Sequence, residues 1–431
     1  MPRERLVIIG AGMAAGRVLD HLTEAAPERF EITLFNAEPR GSYNRIMLSP
    51  VLAGEKTYND IVTHDADWYA HRSITTRFGE YVTHIDRKTK TVHGARGPVP
   101  YDTLIVATGS EPLIIPLPGH DLKGVIAYRD LEDTMTMAHL PEGASAVVIG
   151  GGLLGLEAAA GMAARGIDVS VVHLMDHLME RQLDAEAAAL LQTSLEAKGI
   201  KIHCSAQSES VLGTDGHVTG LRLKDGTELA CDLLVMAVGI RPSVSLGQTA
   251  GLKTDRAILV DDQMRTSDPN IFAVGECVEH RGTSFGLVAP LFDQAKVVAQ
   301  TLIGKEAAFV QKSLSTKLKV TGCDLFSAGD FADAETRENI IYRDLSAGIY
   351  KRLVIENGRL IGAVMYGDTS DGAWFFDLIQ SATDITGLRD TLIFGPAYNE
   401  DGGPPEGPLS AVAASSPEAR CNGLTQLRRA A

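Results

Sequence analysis

The sequence predicts an α/β fold with two parallel sheets, followed by a smaller α+β domain. The parallel sheets are indicated by two glycine-rich turns, residues 10–16 and 150–155, each of which follows an apolar strand and precedes a helical pattern. The smaller domain is indicated by closely spaced strand patterns after residue 310, with the hairpin signal Asn357-Gly358 between two of them. The predicted fold class is therefore α/β, with two nested Rossmann-like dinucleotide-binding domains plus a small α+β carboxyl-terminal domain.

The first unit, residues 5–38, contains an apolar strand, a glycine turn, a helix, a second apolar strand and an acid in succession. Gly10 permits the tight turn, Gly12 lets the backbone approach a pyrophosphate, and Ala15 lets the helix lie close to the strand. The free N–H groups at the start of the helix then face the phosphates. Glu38, after the second strand, can bind ribose hydroxyls. The alternative is a glycine turn without a ligand.

Two further features of the first hundred residues are candidate cofactor contacts. Arg45 lies on a polar, interrupted segment that we expect to run over the cofactor, although it can equally be an exposed surface cation. The strand at residues 104–106 ends in Ala107-Thr108-Gly109, whose small residues let the backbone close over a ligand at the carboxyl edge of a parallel sheet. The alternative for this corner is a buried strand that ends at a glycine.

The second unit repeats the first and matches the glycine fingerprint better. A strand at residues 144–149 leads into Gly150, Gly152 and Gly155, a complete GxGxxG, and a strand at residues 169–173 follows the helix. Two such units imply two dinucleotides, for which one flavin and one nicotinamide is the economical pairing.

The end of the second unit bears on the choice between NADH and NADPH. NAD sites place an acid after the second strand and NADP sites an arginine, but this strand ends at His173, which we interpret as a polar strand end. Arg181 lies further along and could swing in. We favour NADH.

Residues 233–242 and 268–277 complete the two units. The first stretch is a strand that ends at Gly239 and echoes the strand at residues 104–109, so we expect two crossings between nested domains. In the second, Gly275-Glu276 follows a short strand, where a carboxylate can bind a ribityl chain or simply be a turn acid. A helix at residues 290–302 begins with proline, and its positive amino end would favour negative charge on a reduced flavin.

The carboxyl-terminal part shows no obvious chemistry. Strands are predicted at residues 314–320, 340–344, 350–355 and 360–366, and a helix at 372–382 whose Trp374, Phe375 and Phe376 we assign to the core. We expect this domain either to contribute to a homodimer face or to cover the flavin. The tail from residue 397 is rich in Gly, Pro, Ala and Ser and is predicted to be flexible.

Composition narrows the classes of function. The net charge of −15 disfavours nonspecific binding to nucleic acid or to anionic membranes. No apolar run approaches the roughly 18 residues that span a bilayer, and the amino terminus enters a strand without a signal peptide pattern. The five cysteines are widely spaced, so neither a metal site nor a local disulfide is indicated. We therefore expect a cytoplasmic protein.

The motifs in combination resemble a known family. The two glycine turns, the ATG and VGIRP corners and the AVGEC strand resemble the FAD-dependent pyridine nucleotide-disulfide oxidoreductase superfamily. Within it, NAEPRGSYNRIMLSPVLAGEK and VVHLMDHLMERQLD look most like the amino-terminal flavoprotein part of the assimilatory NAD(P)H nitrite reductase large subunit. Rubredoxin and ferredoxin reductases are near relatives.

The resemblance implies two sets of cofactor-binding residues. Those for FAD are Gly10, Gly12, Ala15, Glu38, Arg45, Val82, Ala107, Thr108, Gly109, Arg129, Gly275 and Glu276. Those for NADH, with NADPH possible, are Gly150, Gly152, Leu153, Gly155, Glu157, His173 and Gly239. The domains implied are residues 1–111 with 243–308 for FAD, 112–242 for NAD(P)H, 309–396 for the α+β interface domain and 397–431 for the tail.

The chain departs from the family pattern at three places. Ala37 stands where an acid is common, and Glu276 stands where aspartate is usual. The complete nitrite reductase continues into a [2Fe-2S] segment and a sirohaem domain, whereas here PEARCNGLTQ holds only Cys421. We therefore expect no nitrite chemistry on this polypeptide alone. Thiol-dependent branches of the family are also disfavoured, because there is no closely spaced cysteine pair and no thiol near Asn44.

The function predicted is that of an FAD-dependent NAD(P)H oxidoreductase. Electrons pass from NADH through the flavin to a redox partner protein or domain that carries an iron–sulfur or sirohaem acceptor, in nitrite assimilation. No catalytic side chain is required, because the cofactors carry the chemistry. The alternatives are a stand-alone rubredoxin or ferredoxin reductase and, in another class, a flavin-binding sensor or scaffold.

Overall fold

The computed structural model describes residues 3–312, 315–320 and 322–399. The elements of the first part of the chain are β1 Glu4–Ile9, α1 Met13–Ala25, β2 Phe30–Asn36, α2 Leu48–Leu52, α3 Ala66–His71, β3 Thr75–Phe78, β4 Val82–Asp86, β5 Thr91–Gly94, β6 Gly97–Pro100, β7 Thr103–Val106 and β8 Ser110–Pro112. Those that follow are β9 Val125–Ala127, α4 Leu131–Ala138, β10 Ser145–Ile149, α5 Leu153–Ala163, β11 Asp168–Val172, α6 Ala185–Glu196, β12 Lys201–His203, β13 Ser208–Thr214, β14 His217–Leu223, β15 Glu228–Ala230, β16 Leu233–Met236 and β17 Ile240–Pro242.

The remaining elements lie between residues 245 and 398. They are α7 Ser245–Thr249, β18 Ile258–Val260, β19 Ile271–Ala273, β20 Val278–His280, β21 Thr283–Ser284, α8 Val288–Leu302, β22 Thr316–Val320, β23 Cys323–Gly329, β24 Glu338–Asp344, β25 Ile349–Glu356, β26 Arg359–Tyr366 and α9 Gly372–Ser381. Short 3-10 turns lie at Arg45–Met47, Asn59–Ile61, Leu392–Phe394 and Pro396–Tyr398.

The first parallel sheet has the strand order β19-β7-β1-β2-β3. Its central strand β1 pairs in register with β2 and β7, and it is buried on both faces, because the consecutive residues Val7 and Ile8 are 1% and 0% exposed. Alternate residues of a strand face opposite sides. One side therefore packs on α1 and α8, and the other contacts β4 and β5 through Val82 and Val92.

The second parallel sheet has the order β12-β11-β10-β16-β9, which repeats the layout of the first. In both, the strand that precedes the glycine turn is central and the strand after the helix lies beside it. Each sheet is also accompanied by a three-stranded antiparallel meander, β4-β5-β6 or β13-β14-β15. The predicted fold class, with two dinucleotide-type units, is confirmed.

The two corners predicted to cross between the units pair with each other. Strands β8 and β17 form an antiparallel ribbon in which Glu111 is opposite Arg241. The chain therefore leaves the first sheet and returns to it through adjacent strands, after which β19 completes the first sheet at its edge. The division of the chain into domains at residues 111, 242, 308 and 396 stays a prediction.

Among the described residues, the carboxyl-terminal unit comprises residues 315–318 and 324–399. Its sheet has the order β22-β23-β26-β25-β24, with antiparallel β24-β25 and β25-β26 pairs. The predicted hairpin is present, and Asn357 and Gly358 both have positive φ, of 51° and 71°. Phe375 of α9 is 0% exposed, and the rings on either side of it pack partly against the same core, so the assignment of these aromatics to the core is confirmed.

Several predicted boundaries and omissions have physical reasons. Helix α8 begins two residues before the predicted start, because Val288 and Ala289 extend the helix ahead of the proline. Strand β23 was not predicted, since its small and polar residues carry no clear alternation. The tail beyond residue 399 lies outside the described residues. No helix in the described ranges has the length and apolar character needed to cross a bilayer.

Candidate functional site

The first glycine turn uses its glycines for two different purposes. Gly10 has φ of +103°, and a Cβ there would lie 2.2 Å from the carbonyl oxygen of Ala107. Gly12 has ordinary dihedrals (φ −73°, ψ −177°), and apart from the adjoining backbone no described heavy atom lies within 4 Å of where its Cβ would be. It begins α1 without a side-chain cap, so the amino end of the helix is left for an anion.

The second turn reproduces this geometry. Gly150 has φ of +121°, and its Cβ would lie 2.3 Å from the carbonyl oxygen of Ala237, the counterpart of Ala107. Gly152 begins α5 without a side-chain cap and has open space, within the described ranges, where its Cβ would be. Gly155 packs on the turn itself, since a Cβ there would lie 1.9 Å from the Gly150 oxygen. Both predicted pyrophosphate turns therefore have the shape the sequence predicts.

Four predicted FAD contacts form one charged network beside the first turn. Arg45 forms an ion pair with Glu38, and its other nitrogen donates to the backbone oxygen of Arg129 at 3.0 Å. Arg129 donates in turn to Glu276 at 2.5 Å, and the same carboxylate oxygen accepts from Ser110 Oγ at 2.6 Å. Each of these residues except Arg45 follows the end of a parallel strand, which is the edge where α/β folds bind ligands.

Burial shapes the chemistry of this network. Tyr43 donates to Glu38 at 2.9 Å, and burial raises the pKa of the Tyr43 hydroxyl, so it remains a proton donor to the carboxylate.

At the start of α4, burial and the neighbouring Asp130 raise the pKa of Asp133 to about 6. Asp133 also accepts N–H bonds from the backbone of Arg129 and Asp130. The segment that carries Arg129 is therefore fixed by a capping box.

A buried amide marks the strand end that carries the Gly-Glu pair. The N–H of Gly275 donates to Oε1 of Gln294 on α8 at 2.9 Å, and Gln294 is 0% exposed. Its Nε2 has no hydrogen-bond partner among the described residues. An unused buried donor, together with the open turn at Gly12, fits a cofactor with many acceptor atoms such as FAD. The predicted role of the amino end of α8 at the flavin stays a prediction.

The remaining predicted FAD contacts lie around the same edge. Thr108 donates from Oγ1 to the Ser243 carbonyl at 3.1 Å, and Gly109 accepts the Ser243 N–H at 2.9 Å, so the first corner is tied to the returning chain. Ala15 is 0% exposed within α1, and Val82 is a buried residue at the start of β4. Direct contact of these residues with FAD stays a prediction.

The predicted NADH contacts surround the second turn. Leu153 is the first residue of α5, and Glu157 accepts from Ser49 Oγ at 2.5 Å while burial raises the pKa of its carboxyl. Gly239 has φ of +116° and accepts the N–H of Leu113 at 2.9 Å. Their contact with NADH also stays a prediction.

His173 has both ring nitrogens engaged. Nδ1 accepts the N–H of Gly151 at 3.0 Å, which requires the proton of the neutral ring to be on Nε2. Nε2 faces Glu180 Oε2 at 3.2 Å. Sequence reasoning missed Glu180, because an acid seven residues beyond His173 matches no fingerprint spacing.

Cys277 follows Glu276 directly in the chain. It is 0% exposed, as expected of a small core side chain, and no disulfide joins any two of the described cysteines. Among the described residues there is no group of three or more histidine, cysteine or acidic side chains placed to hold a metal ion.

Comparison with known proteins gives consistent matches across the chain. Residues 4–298 match the family described as pyridine nucleotide-disulphide oxidoreductase, and residues 315–383 match the rubredoxin NAD+ reductase C-terminal domain. The chain is 46% identical to the NAD(P)H nitrite reductase of Bacillus subtilis (strain 168), over 99% of this chain and 53% of that protein. It is 41% identical to the assimilatory nitrate reductase electron transfer subunit of the same organism, over 91% of this chain and 51% of that protein.

A solved structure shows the same architecture. The crystal structure of a ferredoxin reductase from Rhodopseudomonas palustris superposes with a TM-score of 0.77 at 27% identity, covering 86% of this chain and 93% of that chain. The predicted resemblance is confirmed by these matches. The chain spans about half the length of the curated relatives named above.

Proposed function

Because the chain belongs to the pyridine nucleotide-disulphide oxidoreductase family and is an FAD-dependent NAD(P)H oxidoreductase, we propose that it carries electrons from NADH to an iron–sulfur or sirohaem acceptor in nitrite assimilation. The observation that carries the proposal is the pair of glycine turns. In each turn one glycine, Gly12 or Gly152, has backbone dihedrals that any residue can adopt. Its lack of a side chain leaves the amino end of the following helix accessible to a ligand. When bound, FAD supplies the redox chemistry, by taking up a hydride from NADH and giving up electrons to the acceptor.

In this proposal the residues of the chain bind and orient the two cofactors. The turn at Gly12 holds the FAD pyrophosphate, with Arg45 and Arg129 supplying positive charge, and Glu276 binds the ribityl chain. The turn at Gly152 holds the NADH pyrophosphate. In this proposal none of these side chains transfers a proton to a reacting atom.

The acceptor is inferred from the relatives. One curated relative is named as an NAD(P)H nitrite reductase, and the second is named as an assimilatory nitrate reductase electron transfer subunit. A rubredoxin or ferredoxin as acceptor is the second candidate, favoured by the match of residues 315–383 and by the ferredoxin reductase fold.

The test begins with the absorption spectrum of the purified protein, before and after anaerobic addition of NADH. We expect a bound flavin whose visible absorbance is lost within seconds. A flavin that stays yellow for minutes would instead indicate the sensor or scaffold.

Reduced protein is then mixed with rubredoxin, ferredoxin or an isolated nitrite reductase module that carries iron–sulfur and sirohaem centres. Faster reoxidation by the nitrite reductase module supports the proposal, and faster reoxidation by rubredoxin or ferredoxin supports the second candidate.

A further inference from the structure

The segment between β11 and α6 returns to the second glycine turn. The N–H of Met179 donates to the carbonyl oxygen of Gly151 at 3.0 Å. Met179 is 0% exposed and has φ of +52°, a left-handed conformation that residues with a side chain seldom adopt. Such a conformation persists only where the surroundings hold it in place, and it tends to occur at functional sites.

This conformation places Glu180 beside His173. The N–H of Gly151 donates to His173 Nδ1 at 3.0 Å, so the protonated Nε2 points to Glu180 Oε2 at 3.2 Å. Together with the Met179 contact, these bonds close a ring that fixes the carboxylate against the turn. The Glu180 side chain is 27% exposed, so it remains open to a ligand.

The Glu180 carboxylate lies near the strand end where dinucleotide-binding units carry an acid that binds the ribose. In dinucleotide-binding units, an acid at the end of the second strand accepts a hydrogen bond from the 2′-hydroxyl of the adenosine ribose. In this chain the strand end is occupied by a histidine, whose outer nitrogen holds a carboxylate from seven residues later.

We propose that Glu180 supplies the carboxylate that binds the ribose 2′-hydroxyl of NADH, with His173 as its positioning residue, so that the site selects NADH against NADPH. The inference rests on the proposed function of the second unit. A 2′-phosphate would bring negative charge against a carboxylate that His173 holds beside the turn. Arg181, which could offset that charge, has a side chain 86% exposed, with Nε 3.9 Å from Glu180.

The test uses the full chain with its flavin bound. Binding of ADP-ribose and of 2′-phospho-ADP-ribose is measured by calorimetry, and anaerobic flavin reduction by NADH and NADPH is measured by stopped flow. Glu180→Gln removes the charge at nearly constant shape, and Glu180→Asp keeps the charge but shortens its reach. Asp176→Asn is the matched comparison, because Asp176 is a nearby acid of the same loop whose side chain is 80% exposed and contacts His177.

Glu180→Gln is expected to weaken ADP-ribose binding about tenfold, as for loss of a hydrogen bond to a charged group, and to tighten binding of the 2′-phosphorylated probe. The preference for NADH over NADPH in flavin reduction then falls by at least as much. Glu180→Asp should weaken ADP-ribose binding yet still reject the phosphorylated probe, which a purely structural role for Glu180 would not produce.

Three outcomes would overturn the inference. In the first, Glu180→Gln keeps the wild-type ratio of the two Kd values while the wild type reduces its flavin with NADH. In the second, Asp176→Asn, and not the Glu180 variants, changes the ratio. In the third, the wild type binds neither probe and is reduced by neither nucleotide, in which case the proposed function fails as well and the two failures are distinguishable.

Discussion

At the scale of single residues, the two glycines of each turn are glycines for different reasons. Gly10 and Gly150 have φ above +100° and face a carbonyl oxygen, so the fold itself requires them. Gly12 and Gly152 have φ of −73° and −85° and no neighbour among the described residues where a Cβ would be. Since the backbone does not require glycine there, the space is best explained by a ligand.

Gly152→Val is expected to slow flavin reduction by NADH about 100-fold or more, because it moves the pyrophosphate away from the helix. The flavin should stay bound, since the first turn is unchanged. Loss of a good helix cap should cost about 1 kcal/mol of folding free energy. Stopped-flow reduction and the flavin content of the purified variant are the measurements. Normal reduction of this variant would show that the second unit is not the nicotinamide site.

Gly150→Ala is expected to lower the free energy of unfolding. The left-handed backbone and the Ala237 oxygen, which would lie 2.3 Å from the new Cβ, together cost about 3 kcal/mol. Thermal melts of the flavin-bound variant and of Gly152→Ala provide the comparison. Equal melting temperatures for the two variants would contradict the division of roles.

At the scale of elements, the start of α4 holds a buried acid whose ionisation links stability to pH. Its capping box places two carboxylates, Asp130 and Asp133, close together beside the Arg129 backbone. Burial, and then the Asp130 charge, raise the pKa of Asp133 to about 6. The folded state therefore keeps a proton that the unfolded chain loses near its ordinary value, so this group's contribution to stability falls as pH rises through this window.

Asp133→Asn should therefore raise the melting temperature at pH 8 and have a much smaller effect at pH 4, where the folded state keeps the proton and the unfolded chain has lost it only in part. The amide oxygen can still accept the N–H of Arg129. Because the group is partly exposed, the expected gain is small, about 2 °C. Scanning calorimetry of the flavin-bound protein at the two pH values measures it, with Glu132→Gln as a neighbouring exposed acid for comparison. A gain that is the same at both pH values would show that burial of the charge is not the cause.

At the scale of the whole molecule, the chain repeats one sheet layout twice and joins the copies by one antiparallel ribbon. Both glycine turns therefore lie within the same compact unit of the chain. The carboxyl-terminal unit has its own core around Phe375, matches the rubredoxin NAD+ reductase C-terminal domain over residues 315–383, and adds no metal-ligand cluster in its described residues.

The purified chain should accordingly oxidise NADH with ferricyanide as acceptor but consume no nitrite. The reason is that the proposal places the iron–sulfur and sirohaem chemistry on a partner protein or domain. The measurement is NADH oxidation at 340 nm together with assay of residual nitrite, with and without an added nitrite reductase module. Nitrite consumption by the chain alone would refute this division of labour.

Much of the fold and of the candidate site could be predicted from the sequence, because the informative features are local. Each glycine turn lies next to its own strands and helix, and Asn357-Gly358 specifies its hairpin within a few residues. Helix α2 was less accessible, since its five residues are too few to show a helical period, although Leu48 and Leu52 are buried.

The sequence by itself determined that this chain folds twice around a glycine turn and ends in a small α+β domain. Only the tertiary structure decided which distant residues meet. The Glu38–Arg45 pair reaches Glu276 through Arg129, and Glu180 reaches the second turn through His173. The physical reason is that strand and turn patterns depend on neighbouring residues. By contrast, the partner of a charged side chain depends on where the sheets bring separate parts of the chain together.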